Sequence, residues 1–141
     1  ARSAVKAGRL MLERVRELSD ARRDFGFETT LSGRGYLGWL GALKNERYRI
    51  HLYYLWVPGV DVLTARIRHR VASGGHFVPD RDVIRRRARS FGLLKAYSAL
   101  ADKLRIFDNS DIEPVLLFEK NGGAVIHDTM RFELMNRETG L

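Results

Sequence analysis

The sequence predicts an α/β protein built on a mostly parallel β-sheet. Apolar residues with helical spacing alternate along the chain with short hydrophobic runs. The run at 50–57 is apolar at almost every position, a pattern typical of a strand covered by helices on both faces. Such alternation favours parallel strands joined by helices. The 141 residues are expected to form one domain, 1–141.

The N-terminal half is predicted to contain two helices and two strands. Apolar positions recur every three or four residues over 4–18 and again over 34–46, as on the buried face of a helix. Between them, two phenylalanines predict a short buried strand at 25–28. The second strand, 50–57, is followed by Pro58 and Gly59, which end it.

The next part of the chain is predicted to be two helices joined by a glycine-rich turn. Helical spacing continues over 60–71, and Gly74 and Gly75 follow at the place where glycines commonly end a helix. Pro79 and Asp80 open the second helix. We expect this helix to break or bend near Gly92, because glycine is a poor helix former.

The C-terminal part predicts a small antiparallel addition to the sheet. A third strand is expected at 104–107, followed by two strands at 115–119 and 124–127. The Asn-Gly-Gly sequence at 121–123 between these two strands is a strong hairpin signal. A final helical segment is expected at 129–136.

Composition restricts the class of protein and its partners. The chain has no cysteine and no long apolar run, so we expect a cytoplasmic protein without a membrane span. Its four histidines lack metal-ligand spacing, and no metal site is expected in this chain. The net charge of +8 predicts anionic partners, namely nucleic acid, nucleotides or phosphorylated metabolites.

The first candidate site follows the predicted strand at 25–28. Glu28, Thr30 and Ser32 place a carboxylate and hydroxyls where that strand ends. Ligands of open α/β sheets bind beyond the carboxyl ends of strands, so these groups are candidate substrate contacts. The structural alternative is that Glu28 ends the strand and that Thr30 or Ser32 caps the next helix.

The second candidate site is the glycine-rich turn and the arginine-rich helix after it. Gly74 and Gly75 could form a hinge, and arginine binds phosphate oxygens through a planar pair of donors. A hinged basic helix is a plausible lid over a transferred phosphoryl group. The alternative is a solvated basic face. The arginines of this helix are Arg81, Arg85, Arg86, Arg87 and Arg89.

Several motifs resemble, in order and spacing, those of zeta-toxin-like P-loop kinases, a group that includes many proteins described as predicted ATPases. The resemblance covers essentially the whole chain, although no single motif is diagnostic. The motifs are Phe-Glu-Thr-Thr-Leu-Ser-Gly at 27–33, His-Leu-Tyr-Tyr-Leu-Trp-Val at 51–57, Gly-Gly-His-x-Val-Pro at 74–79, Val-Ile-Arg-Arg-Arg at 83–87 and Asp-Asn-Ser at 108–110.

The resemblance implies a three-layer P-loop kinase-like fold. It also implies the use of ATP and Mg²⁺ and the phosphorylation of a hydroxyl on a small molecule such as a UDP-amino sugar. Carried over by position, it implies substrate binding by Glu28, Thr30, Ser32 and His76, catalytic roles for Arg85 and Arg86, and cofactor contacts by Arg87 and Arg89.

The chain departs from this family in its nucleotide-binding part. The family begins with a strand and the phosphate-binding motif G-x-x-x-x-G-K-[ST], and this motif is absent from the 141 residues. The absent first strand would lie between 25–28 and 50–57, so we expect these two not to pair directly. We expect the chain alone to bind no ATP. Possible partners are an N-terminal segment, an antitoxin or a second copy.

The alternative function is a non-enzymatic basic module that binds nucleic acid or a protein partner. Basic surfaces with interleaved aromatic residues favour nucleic acid. Here Tyr53, Tyr54 and Trp56 lie in a strand predicted to be buried, which argues against base stacking. Nucleic acid is therefore the less favoured partner.

Overall fold

The computed structural model describes residues 2–75 and 77–141, with side chains from residue 6 onward. Every helix and all four strands expected outside 25–28 have the predicted type, and their bounds shift by a few residues. In chain order the elements are α1 (Arg2–Asp20), α2 (Gly35–Asn45), β1 (His51–Trp56), α3 (Val60–Ala72), α4 (Asp80–Leu100), β2 (Lys103–Asp108), β3 (Val115–Asn121), β4 (Gly123–Ile126) and α5 (Thr129–Thr139).

The four strands form one mixed sheet in the order β1-β2-β3-β4. Only β1 and β2 are parallel, and both later pairs are antiparallel. The α/β class and the C-terminal hairpin are thus confirmed, whereas the expectation of a mostly parallel sheet is wrong. The reason is the short connections, because a parallel crossover needs about a dozen residues or more. Gly122, with φ of +79°, makes the tight turn of the hairpin.

The hydrophobic core lies on one face of the sheet. Tyr54 and Trp56 of β1 point into it and contact a cluster that includes Leu94 of α4 and Met135 of α5. The intervening side chains of β1 face outward, and Tyr53 and Leu55 are 55% and 56% exposed. The expectation that both faces of this strand are covered is therefore wrong. Its apolar run reflects burial on one face and an uncovered apolar surface on the other.

The predicted strand at 25–28 is absent, because these residues have no neighbouring strand with which to form a ladder. Aromatic contacts hold the segment instead. The ring of Phe25 lies 5.9 Å from that of Trp39, and the ring of Phe27 lies 5.1 Å from that of Tyr36. As expected, the segment does not pair with β1. The expected third strand between the two stays a prediction.

Helix α4 continues through Gly92 without the expected break. On either side of Gly92, the side chains of Phe91 and Leu94 belong to the core and anchor the helix. Burial of two large side chains outweighs the cost of about 1 kcal/mol for one glycine in a helix. Tertiary packing therefore overrides the local preference at Gly92.

Candidate functional site

A cleft of about 1710 Å³ lies beside the outer edge of β1. One wall is formed by the irregular segment 24–31 and by side chains of α2. Most of the remaining lining comes from β1, α3 and α4. No other described strand pairs with this edge of β1, and the cleft occupies the space beside it.

The cleft brings together four of the residues that the sequence predicts as a site. Glu28 and Thr30 lie in the wall formed by the irregular segment, and Arg86 and Arg87 lie in the wall formed by α4. The two pairs are far apart in sequence, and the fold places them around one space. The side chains of Glu28 and Arg86 are both exposed. A carboxylate and an arginine that line one cleft can bind a ligand that carries both hydroxyl groups and an anionic group.

The hydroxyl groups in the first wall are arranged by a turn at Leu31. This residue has φ of +53°, a backbone angle that residues other than glycine rarely adopt. Its side chain is buried in the core. The hydroxyl oxygen of Thr29 accepts a hydrogen bond of 3.2 Å from the Leu31 N–H. The Thr30 and Ser32 hydroxyls bond each other at 2.8 Å. The alternative that Thr30 or Ser32 caps α2 is wrong, since Arg34 holds the cap position without a side-chain bond.

Helical spacing explains which arginines reach the cleft. The α4 residues in its lining follow helical spacing and so form one side of the helix; they are Val83, Arg86, Arg87, Ser90, Phe91 and Tyr97. Arg85 and Arg89 lie on other sides of α4 and do not line the cleft. Arg85 pairs with Asp82 of its own helix at 3.0 Å. The catalytic role implied for Arg85 and the cofactor contact implied for Arg89 stay predictions that the cleft does not support.

Arg86 and Arg87 have different surroundings. The guanidinium of Arg87 donates to both carboxylate oxygens of Glu138, at 2.8 and 2.9 Å, and lies 4.3 Å from the centre of the Phe91 ring. Glu138 also accepts a hydrogen bond of 2.8 Å from the Trp56 indole N–H. Arg86 has no hydrogen bond or ion pair among residues 2–75 and 77–141. Arg86 is therefore the arginine of this helix face that is available to a ligand.

The lining of the cleft carries more cationic side chains than the predicted site residues alone. Cationic side chains that the sequence reasoning did not assign to the site include Arg22, Arg47, Arg49 and Arg70. In the lining, six arginines face three acidic residues, Asp24, Glu28 and Glu46. Helical spacing could have revealed Arg70. Leu63 and Ile67 of the lining are four residues apart, and Arg70 follows Ile67 by three, so all three lie on one side of α3.

The glycine-rich turn ends α3 in a defined conformation. Gly74 has φ of +86° and donates to the Val71 carbonyl at 3.0 Å, and Gly75 donates to the Arg70 carbonyl at 2.9 Å. This pair of bonds is the Schellman arrangement that glycine favours at helix ends. A β-carbon on Gly75 would lie 2.6 Å from the Cγ of Arg70, so this position needs glycine. His76 lies outside the described residues.

A buried tyrosine forms part of the cleft wall. The Tyr54 hydroxyl bonds that of Ser90 at 3.0 Å. Burial raises the pKa of Tyr54 above its ordinary value, and the bond to Ser90 only partly offsets this. The hydroxyl therefore stays protonated at neutral pH and is not a base for the cleft.

Comparison with known proteins leaves the family undetermined. No family model and no solved structure match the chain. An uncharacterized protein of Haemophilus influenzae is 36% identical to it over 63 residues. The matched region is 45% of this chain and 44% of that protein, so the chain spans less than half of the relative. In the described part, no helix combines the length and the apolar character needed to cross a membrane.

Proposed function

We propose that the chain is the substrate-and-lid part of a zeta-toxin-like kinase. Such an enzyme transfers the γ-phosphate of ATP to a hydroxyl of a small molecule that resembles a UDP-amino sugar. The observation that supports this proposal is the cleft, whose lining includes Glu28, Thr30 and Arg86. The motif resemblance predicted these residues as site members, although they lie far apart in sequence.

Each of these residues has a role that its chemistry allows. The Glu28 carboxylate accepts hydrogen bonds from hydroxyl groups of the acceptor substrate, and the Thr30 hydroxyl supplies one more contact. Arg86 pairs with phosphate oxygens, and the neighbouring arginines of the cleft increase the local positive potential. Arg87 acts through its bonds to Glu138, which fix α4 against α5 and so position Arg86, and its contact with Phe91 lies within α4.

The residues of the chain do not by themselves fit ATP with Mg²⁺. Nucleotide phosphates are held by successive backbone N–H groups and a lysine, and the sequence lacks that motif. The cleft offers arginine side chains but not this cradle. A polypeptide segment other than these residues would hold ATP and Mg²⁺, and the bound ATP would supply the phosphoryl group. That segment, an antitoxin and a second copy of the chain stay candidate partners.

The test is a measurement of steady-state phosphoryl transfer by the protein as its gene encodes it, with UDP-N-acetylglucosamine as the acceptor probe. Glu28→Gln and Arg86→Gln are expected to lower turnover tenfold or more, since about 1.4 kcal/mol of lost transition-state stabilisation gives that factor. Arg81→Gln is the matched control, because Arg81 is exposed on the same helix and does not line the cleft.

Thermal melts of each variant separate activity from folding. Full activity of Glu28→Gln and Arg86→Gln would contradict the proposal, as would a loss explained by unfolding alone. If the arginine variants instead lost affinity for RNA or DNA and kept transfer unchanged, a nucleic-acid-binding module would replace the kinase.

A further inference from the structure

The face of the sheet that points away from the core, called here the outer face, carries apolar side chains from all four strands. Side chains alternate between the two faces of a strand, so the register assigns each residue to a face. The apolar residues assigned to the outer face neither belong to the core cluster nor pack against it. Those of β1 and β4 are more than half exposed. The outer-face side chains are Tyr53 and Leu55 of β1, Arg105 and Phe107 of β2, Leu116 and Glu119 of β3, and Val125 of β4.

The register arranges these side chains in two rows across the strands. The first row is Tyr53, Arg105, Glu119 and Val125, and the second row is Leu55, Phe107 and Leu116. A bulge gives β3 one extra residue, Leu117, whose side chain is buried, and so Leu116 shares the outer face with Phe107. The second row is thus apolar throughout. The first row has an ion pair between Arg105 and Glu119, with an apolar side chain at each end.

This pattern is complementary to itself about one two-fold axis. An axis that runs along the strands between β2 and β3 places β2 of one copy over β3 of the other, and β1 over β4. Arg105 then faces the Glu119 of the other copy, and each such contact occurs twice. In the same arrangement Phe107 faces Leu116, and Tyr53 faces Val125. An axis across the strands would instead place Arg105 against Arg105 or against the apolar row, and both contacts are unfavourable.

We propose that the outer face is the interface of a homodimer in which two sheets pack face to face about the axis along the strands. Packed sheets lie about 10 Å apart, and side chains from the two inner faces fill that space. The two ion pairs of the dimer form a ring of four alternating charges, with apolar contacts on either side. The inference stands on the register and the charge pattern of the sheet and does not depend on the proposed kinase activity.

The size of the outer face predicts a weak dimer. Four strands about 4.8 Å apart, with about five residues of 3.3 Å each, give a face of roughly 300 Å² in projection. Stable interfaces commonly bury about 800 Å² per partner, so a transient association is expected. The net charge of +8 on each chain also opposes association, and salt reduces this repulsion. The dimer is therefore expected at roughly 0.1–1 mM protein and about 0.15 M salt.

The experiment is sedimentation equilibrium on the complete chain and on two charge variants. Arg105→Glu makes the charged pair of the first row acidic, and Glu119→Arg makes it basic. Each variant alone is expected to stay monomeric where the original chain dimerises, because like charges then meet across the axis. Their equimolar mixture is expected to form a heterodimer at least tenfold more tightly than the original homodimer. Loss of the ion pair within one chain could destabilise each variant but could not restore association on mixing.

Two adjacent positions of β4 provide a matched control. Val125 lies on the outer face and Ile126 on the opposite face, since their register partners are Glu119 and Phe118. Both side chains are about half exposed. Val125→Lys places a charge against Tyr53 of the other copy and is expected to weaken the dimer tenfold or more. Ile126→Lys is expected to weaken it less than threefold, and a thermal melt of each variant checks that it is folded.

Three results would overturn the proposal. The first is a chain that stays monomeric at millimolar concentration, which would mean that something other than a second copy covers the outer face or that it stays in water. The second is no association between the folded Arg105→Glu and Glu119→Arg variants. The third is equal weakening by Val125→Lys and Ile126→Lys, which would place the contact on another surface.

Discussion

Replacing Arg87 with alanine is expected to destabilise the protein by about 2–3 kcal/mol. The side chain makes two charge-assisted hydrogen bonds to Glu138 and lies over the Phe91 ring. Each such hydrogen bond contributes roughly 1.5–3 kcal/mol and the ring contact roughly 0.5–1 kcal/mol. The total is reduced by about half, because Glu138 is 31% exposed and water can solvate it once Arg87 is removed.

The assay is urea and thermal unfolding of Arg87→Ala beside Arg86→Ala. A loss of this size lowers the melting temperature by roughly 5–12 °C in a chain of this length. Arg86→Ala should change stability by less than about 0.5 kcal/mol, since Arg86 is exposed and unpaired among the described residues. The two variants thus remove the same side chain from adjacent positions of one helix.

The Arg87→Ala/Glu138→Ala double variant tests the cause. If the pair is coupled, the double variant loses less stability than the sum of the single variants. Equal melting of Arg86→Ala and Arg87→Ala would refute the structural role of Arg87. It would leave the cofactor contact implied by the sequence as the better account of that residue.

Further predictions concern nucleotide binding, pH and the core. Calorimetric titration of the 141-residue chain with Mg-ATP should show no saturable binding, and micromolar affinity would contradict the account of the absent phosphate-binding motif. Lys44 and the Ile50 N–H, both bonded to Asp102 at 2.7 Å, lower the pKa of Asp102. Asp102→Asn should therefore destabilise the protein at pH 7, and urea unfolding should show this difference shrinking as the pH falls below about 4. Leu94→Ala should cost about 2–5 kcal/mol in the same assay, because Leu94 is fully buried, and a smaller loss would mean that the core relaxes around it.

Local sequence signals predicted most elements because their causes are local. The spacing of apolar residues defined the helices, and Gly122 and Gly74 adopt the left-handed conformations that their turns require. The failures involve contacts between distant segments. Residues 25–28 have the composition of a strand but no strand beside them, and Gly92 is held in α4 by core contacts on either side.

The candidate site was predictable in its residue types and less so in its geometry. Spacing along α4 separates Arg86 and Arg87, on the apolar side of the helix, from Arg85 and Arg89. The pairing of Arg87 with Glu138 joins α4 to the last helix, and no local pattern reveals such a contact. The uncovered face of β1 was also missed, because a continuous apolar run does not distinguish a covered face from one that lacks its cover.

The central claim is that the cleft between residues 24–31 and α4 binds the acceptor substrate. The most direct test is an NMR titration of the chain with UDP-N-acetylglucosamine, followed at the backbone amides of Glu28, Thr30 and Arg86. The account predicts saturable shifts at these amides that Arg86→Gln weakens and Arg81→Gln does not. Saturable shifts confined to residues outside the cleft, or equal binding by both variants, would contradict it.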